Sequence, residues 1–438
     1  MLALLTTPVA HPVSLAGKPD TEPMVVNYIM EFNTVKPTPE GGLGSTHVIL
    51  AFIEPISDSI PGSGDDVWLQ DSVLEWQQAS AEDRDDLRRS LGTEDKPAQI
   101  MASIGGSRAR HDARIAKWPD WDPVEMGKRA AQYVLDLELD GIDIDLEGWS
   151  HWKAAPEVAK QKWVIDERGP GFMKKLTLAI REKFDEASPG KRLLISHAPQ
   201  LPDFHKDKTY DGLLADRRVW NAIDFVNVQF YNQFLFPTNE HIFNEDIYPE
   251  IAESPTCFKS VINRTVHHAG GWLKFKDVAS KLLLGFPCIG GSMMIGDYNH
   301  AECNPVAAAE VVTTGVKLGY PLRGVFEWSA RPPSVTPEML TSFNKEVRAA
   351  LEGNPIKHKT KLRKDGQSAD SAVPALPGVP APADDDNPCK ATADTVTNDW
   401  CRQTCTPTYC PANLCSEECN PPADAPALLR QQARAKAA

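Results

Sequence analysis

No apolar run in the sequence approaches the roughly 18 residues that a membrane-crossing helix requires, so no membrane partner is expected. Positive charge is in deficit: 46 Lys and Arg against 60 Asp and Glu leave a net charge of -14, with no basic cluster to offset it. A phosphate backbone would meet net repulsion, and nucleic acid is not an expected partner. Neither GxGxxG nor GxxxxGK[ST] follows any candidate strand, which removes the usual phosphate cradles. The paired His267 and His268 have no partners at metal-ligand spacing, and no metal or cofactor is expected. Cysteine is scarce until late in the chain, with only Cys257, Cys288 and Cys303 before residue 389, read as buried thiols or as one disulfide plus a thiol.

What is present is unevenly distributed. The 438 residues exceed what one hydrophobic core usually organises, while 42% apolar and 24% charged residues are ordinary for a globular protein. Six of the nine Cys fall between Cys389 and Cys419, preceded by the Pro- and Ala-rich stretch QSADSAVPALPGVPAPADDD. The expected organisation is an N-terminal extension or remnant signal (1–23), a large body (24–353), an extended linker (354–388), a Cys-rich module (389–420) and a C-terminal tail (421–438). The module has too few apolar residues for a core, so three disulfides and an oxidising, secreted setting are the expectation. Zinc is the rival reading, but the Cys spacings lack paired CxxC elements and no His lies nearby. A single sequon, Asn263-Arg264-Thr265, is compatible with secretion, and a monomer is expected.

Within the body, β-branched or apolar runs at 25–32, 47–53, 99–105, 141–147, 192–198, 225–231, 282–287 and 324–329 alternate with amphipathic segments. Phe172, Leu176, Ile180 and Phe184 recur at helical spacing, and Thr336-Pro337 opens a last helix through Leu340, Phe343, Val347 and Leu351. Strand and helix alternating in this way predict an α/β fold, a (β/α)8 TIM barrel, with a doubly wound open sheet as the alternative.

The segment Asp140-Gly141-Ile142-Asp143-Ile144-Asp145-Leu146-Glu147 carries the chemistry. Side chains alternate faces along a strand, so Asp143, Asp145 and Glu147 share one face and the apolar residues the other. In a barrel strand the apolar face packs on the outer helices and the three carboxyl groups point inward. Crowded acids repel, which predicts at least one raised pKa and a shared proton. Glu147 falls at the C-terminal end of the strand, where barrel enzymes place catalytic groups, and a protonated carboxylic acid there suits protonation of a leaving-group oxygen.

DGIDIDLE resembles the DGxDxDxE signature of glycoside hydrolase family 18, the chitinases and their relatives. Ser103-Ile104-Gly105-Gly106 is similar to the family's SxGG, and Gln229-Phe230-Tyr231-Asn232 to the QxYN of its class III chitinases. Ala198-Pro199-Gln200 is similar to that subgroup's APQ, and Trp328 to the tryptophan closing strand eight. The resemblance covers residues 24–351 and leaves the linker and tail unexplained.

It implies substrate-assisted hydrolysis of β-1,4-linked N-acetylglucosamine polymers, with net retention. Glu147 would be the acid and then the base, Asp145 would orient the acetamido group, and Asp143 would tune Asp145 from beneath. Tyr231 would donate to the acetamido oxygen, Gln229 and Asn232 would contact substrate, and Trp328 would form the floor under the sugar. In the tail, Trp400 and Tyr409 beside Cys401 and Cys410 are candidate sugar-stacking residues. Ser103, Gly105, Gly106 and Asp140 read as structural, and Tyr231 and Trp328 have a second reading as core aromatics. The implied partners are chitin or N-acetylglucosamine oligomers. An endo-β-N-acetylglucosaminidase acting on N-glycans and a non-catalytic chitin-binding lectin remain alternatives; the intact Glu147 separates enzyme from lectin.

Overall fold

The structure, a computed structural model, describes residues 22–32, 41–55, 67–69, 71–106, 122–146, 170–206, 208–231, 238–244, 256–288, 304–330 and 335–354. The expectations for the N-terminal extension up to residue 21, for the chain from residue 355 onward, and for Glu147, Asn232, Cys303, Trp400 and Tyr409 lie outside the described residues.

The strands are β1 (Met24–Ile29), β2 (His47–Pro55), β3 (Val67–Leu69), β4 (Gln99–Gly105), β5 (Gly141–Asp145), β6 (Leu194–His197), β7 (Phe225–Val228), β8 (Leu282–Pro287) and β9 (Gly324–Ala330). Their order is β1-β9-β8-β7-β6-β5-β4-β2-β3, and a further pairing of β1 with β2 closes the ring. Each neighbouring pair around the ring is parallel, so the expected (β/α)8 barrel is what forms, and the open-sheet alternative is excluded by closure. β3 is an addition, paired antiparallel to the end of β2; its three residues are too few to carry a periodic signal.

Four strands are shorter than expected, β1 ending at Ile29 rather than at 32. β5 ends at Asp145 rather than 147, β6 covers 194–197 and β7 stops at Val228. Pro199 follows β6 and has no N–H to donate, so the ladder cannot continue. Its carbonyl still accepts from Gln229 N at 2.9 Å, and Gln200 and Gln229 form an isolated parallel bridge.

The outer helices bury the predicted faces. Phe172, Leu176, Ile180 and Phe184 of the helix Pro170–Ala187 are buried, as are Leu340, Phe343 and Val347 of the helix Pro337–Leu351. Thr336 caps the latter, accepting from Met339 N at 3.3 Å. At the N-terminal end of the barrel, Asp140 accepts from Ile100 N at 3.0 Å and pairs with Arg88 and Lys191. Asp140 thus fastens the end remote from the C-terminal ends of the strands, consistent with its structural reading. Among the described residues no helix is long and apolar enough to cross a membrane.

Candidate active site

Parallel register carries one parity around the ring. Asp143 pairs with Ser103 on β4 and Ser196 on β6, and Asp145 pairs with Gly105. All point inward, while Ile142 and Ile144 pack outward, as the alternation in DGIDIDLE predicts.

Asp143 is fully buried and surrounded by donors. Its Oδ2 accepts from Tyr28 Oη at 2.9 Å and Ser103 Oγ at 2.8 Å; its Oδ1 accepts from Ser196 Oγ at 2.6 Å and Asn227 Nδ2 at 3.3 Å. Burial raises its pKa, and the bonds from Ser196, Ser103, Tyr28 and Asn227 pull the other way. The expected raised carboxyl is therefore present, and among the described residues loss of water is its largest cause, outweighing the donors.

Tyr28 links this group to the opposite wall. Its hydroxyl accepts from Asn227 Nδ2 at 2.9 Å. Burial first, then the nearby Asp143 and Asp145, push its pKa well above the usual phenol value, so it remains a donor.

Asp145 lies one layer higher. Its Oδ1 accepts from Gln229 Nε2 at 3.1 Å, and the same amide nitrogen donates to Ala198 O at 3.0 Å, which fixes the Gln229 side chain. The backbone around Asp145 is equally constrained. Gly106 N donates to Asp145 O at 2.7 Å, and Gly105, at φ 123°, would place a Cβ 2.1 Å from that oxygen. The SxGG segment therefore divides: Ser103 touches the buried acid directly, whereas Gly105 allows β4 and β5 to approach.

The aromatic wall comes from strand ends. Trp328 is half-buried and meets Tyr28 edge-on at 5.3 Å and Phe52 at 5.4 Å between ring centroids. Tyr231 is buried and lies 6.2 Å from Phe326. Phe326 fits inside the barrel because Gly285 on β8 has no Cβ; one would sit 2.4 Å from the Phe326 ring. His197 points the other way, bonded to Tyr210 Oη at 2.8 Å and Thr177 Oγ1 at 3.0 Å, with burial lowering its pKa to about 3.

Of the residues predicted for the site, Asp143, Asp145, Gln229, Tyr231 and Trp328 converge at the C-terminal end of the barrel. Tyr28, Ser196 and Asn227 were not singled out from the sequence, although each touches the buried acid or its partners. Asn227 had a usable signal, because it shares strand parity with Gln229. Among the described residues no group of three or more His, Cys, Asp or Glu is placed to hold a metal.

The family described as Glycosyl hydrolases family 18 matches residues 24–363. The curated relative "Chitinase 2" of Rhizopus oligosporus is 26% identical over 174 residues, 38% of this chain and 26% of that protein, so the match spans about a quarter of the relative's length. Among solved structures, a GH18 chitinase from Pseudoalteromonas aurantia has a TM-score of 0.47 at 16% identity, covering 74% of this chain and 99% of that one. The Ostrinia furnacalis Group IV chitinase in complex with allosamidin has a TM-score of 0.46 at 16% identity, covering 76% of this chain and 100% of that one.

Proposed function

The chain belongs to family 18 of the glycosyl hydrolases, and from that premise we propose that it is a secreted, endo-acting chitinase that cleaves β-1,4-linked N-acetylglucosamine polymers with retention. The observation that carries the reading is the inward stack of Asp143 and Asp145 on β5, immediately before Glu147, with Asp145 held by Gln229.

In the proposed reaction Glu147 protonates the glycosidic oxygen as the substrate's acetamido oxygen attacks the anomeric carbon. The bond to the leaving sugar breaks and an oxazolinium forms. Asp145 receives the acetamido N–H and balances its developing positive charge, while Tyr231 donates its hydroxyl to the acetamido oxygen. Glu147, now a carboxylate, takes a proton from water, and the oxygen of that water attacks the anomeric carbon and opens the ring. The neighbouring amide supplies the nucleophile at high effective concentration, so no second carboxylate needs to attack. Asp143 supports Asp145 from below, Trp328 forms the apolar floor, and Gln229 and Asn232 contact the sugar.

The crossover from β8 to β9 supports an open groove. Only residues 288–323 connect them, and Pro305–Lys317 already form the connecting helix, which leaves little chain for an additional wall. An oxidising compartment is supported by the cluster of Cys in the tail. The test is incubation with chitin oligomers beside an N-glycoprotein, with products identified by mass and their anomeric form by NMR. Release of retained short chitin oligomers from internal bonds supports the reading. Cleavage of the glycoprotein alone replaces it with the N-glycan activity.

A further inference from the structure

Behind the aromatic wall lies a second acid that the proposed reaction does not use. Asn27 and Glu327 are register partners on β1 and β9. The next residues on each strand, Tyr28 and Trp328, turn into the barrel and meet edge-on, so Asn27 and Glu327 turn outward toward the helix Pro337–Leu351.

The outward pair is tied into a compact polar cluster. Asn27 Nδ2 donates to Glu327 Oε2 at 3.3 Å and to Asn344 Oδ1 at 3.1 Å, and Asn27 Oδ1 accepts from Ser45 Oγ at 2.7 Å and Asn344 Nδ2 at 2.9 Å. Asn344 also donates to Leu43 O at 2.9 Å. Asn27 is therefore fully committed. Glu327 is fully buried, and its Oε1 has no hydrogen-bond partner among the described residues.

The surroundings do not favour a carboxylate. β1 contributes Asn27 on this face and β8 carries no ionisable side chain. On the helix, Glu338 and Lys345 are exposed, Glu346 is half-buried, and the Arg348 guanidinium is held by Gly44 O at 3.0 Å and by Glu22. Burial raises the Glu327 pKa to about 8, and the Asn27 bond opposes it. At neutral pH the group is a carboxylic acid, for which the dry layer is tolerable; a carboxylate there would require water or movement of the strands.

We propose that Asn27 and Glu327 are positioning residues for the sugar-binding wall: they hold β1 and β9 from behind in the register that sets Tyr28 against Trp328. Loss of the Glu327 proton leaves the Asn27 bond in place but puts a charge in the dry layer, and the water or strand movement that this charge requires displaces Trp328. That the wall binds sugar rests on the proposed function; the coupling of Glu327 to Trp328 does not.

The experiment uses the full chain labelled with 5-fluorotryptophan, with the Trp328 fluorine resonance assigned through Trp328→Phe. In the parent the resonance is expected to move with a midpoint near pH 8, and in Glu327→Gln to stay fixed over the same range. Glu327→Met, which also cannot ionise, serves if the amide variant does not fold. The alkaline limb of activity on chitin oligomers should move upward in the same variant. A Trp328 resonance that does not titrate in the parent, or that titrates identically in the variant, overturns the proposal. A titrating resonance in a protein that hydrolyses no chitin oligomer retains the coupling and removes the chitinase reading instead.

Discussion

Tyr28 and Asp143, 115 residues apart in sequence, share a 2.9 Å hydrogen bond at the centre of the barrel. The same phenol is the edge on which Trp328 rests. One side chain therefore couples the deepest acid of the site to its aromatic wall. Tyr28→Phe keeps the ring contact and deletes the donor. A hydrogen bond to a charged group is worth about 1.5–3 kcal/mol, so kcat/KM on chitin oligomers should fall by roughly 10- to 100-fold. Removing a donor that favours ionised Asp143 raises its pKa further, which moves the acid limb of the pH–rate profile upward. An unchanged acid limb would remove Tyr28 from the tuning of Asp143.

Glu147→Gln tests the acid itself. Gln is nearly isosteric and cannot deliver a proton, and general acid–base catalysis contributes about 10²- to 10⁴-fold. Hydrolysis should fall by at least that factor while oligosaccharide binding, followed by calorimetry, persists. Turnover near that of the parent would transfer the role to another group.

Gln229→Leu separates positioning from proton transfer. It removes the amide that reaches both Asp145 Oδ1 and Ala198 O but leaves every carboxyl group in place. The expected result is a drop of about tenfold or more in kcat, for the loss of roughly 1.5 kcal/mol or more. Rescue by Gln229→Asn, whose shorter side chain cannot span both contacts, is not expected.

Truncation after Gly353 tests the tail. Trp400 and Tyr409 flank Cys401 and Cys410 in a segment with little to form a core, and aromatic faces stack on sugar rings. Tethering a binding module by a Pro-rich linker raises local concentration at an insoluble surface. The truncated protein should match the full chain on soluble oligomers and pellet less with insoluble chitin. Equal pelleting would leave the tail without a binding role.

The barrel and its acidic strand were legible because they depend on local patterns. Alternation in DGIDIDLE is enough to put Asp143 and Asp145 on one face, and apolar runs separated by helical spacing are enough to anticipate the strands. What could not be read depends on which face of an isolated strand turns inward. In VVNYIMEF, Asn27 and Tyr28 are adjacent and polar, and only the register with β9 shows that Tyr28 enters the site while Asn27 faces the helix. Ser196 is hidden in LLISHA for the same reason, with His197 the more conspicuous residue and yet the outward one. The burial of Glu327 depends on Asn27, 300 positions away, and on a helix that local pattern cannot place against it.

Glu327→Gln also changes how stability responds to pH. The group's pKa is about 8 in the folded protein and 4.5 as its ordinary value. Between those values the folded state holds a proton that the unfolded chain has released, so stability is fully present below pH 4.5 and is lost as pH rises toward 8. The slope is about 1.4 kcal/mol per pH unit across that window. His197, whose pKa burial lowers to about 3, acts in the opposite sense: its contribution is present above the ordinary histidine value of 6.5 and is lost as pH falls toward 3. The difference in stability between Glu327→Gln and the parent isolates the first effect, because His197 contributes equally to both. Measured by urea unfolding, that difference should grow in favour of the variant from pH 4.5 to 8 and then level off. A constant difference across the range would mean that Glu327 is already ionised in the folded protein at neutral pH.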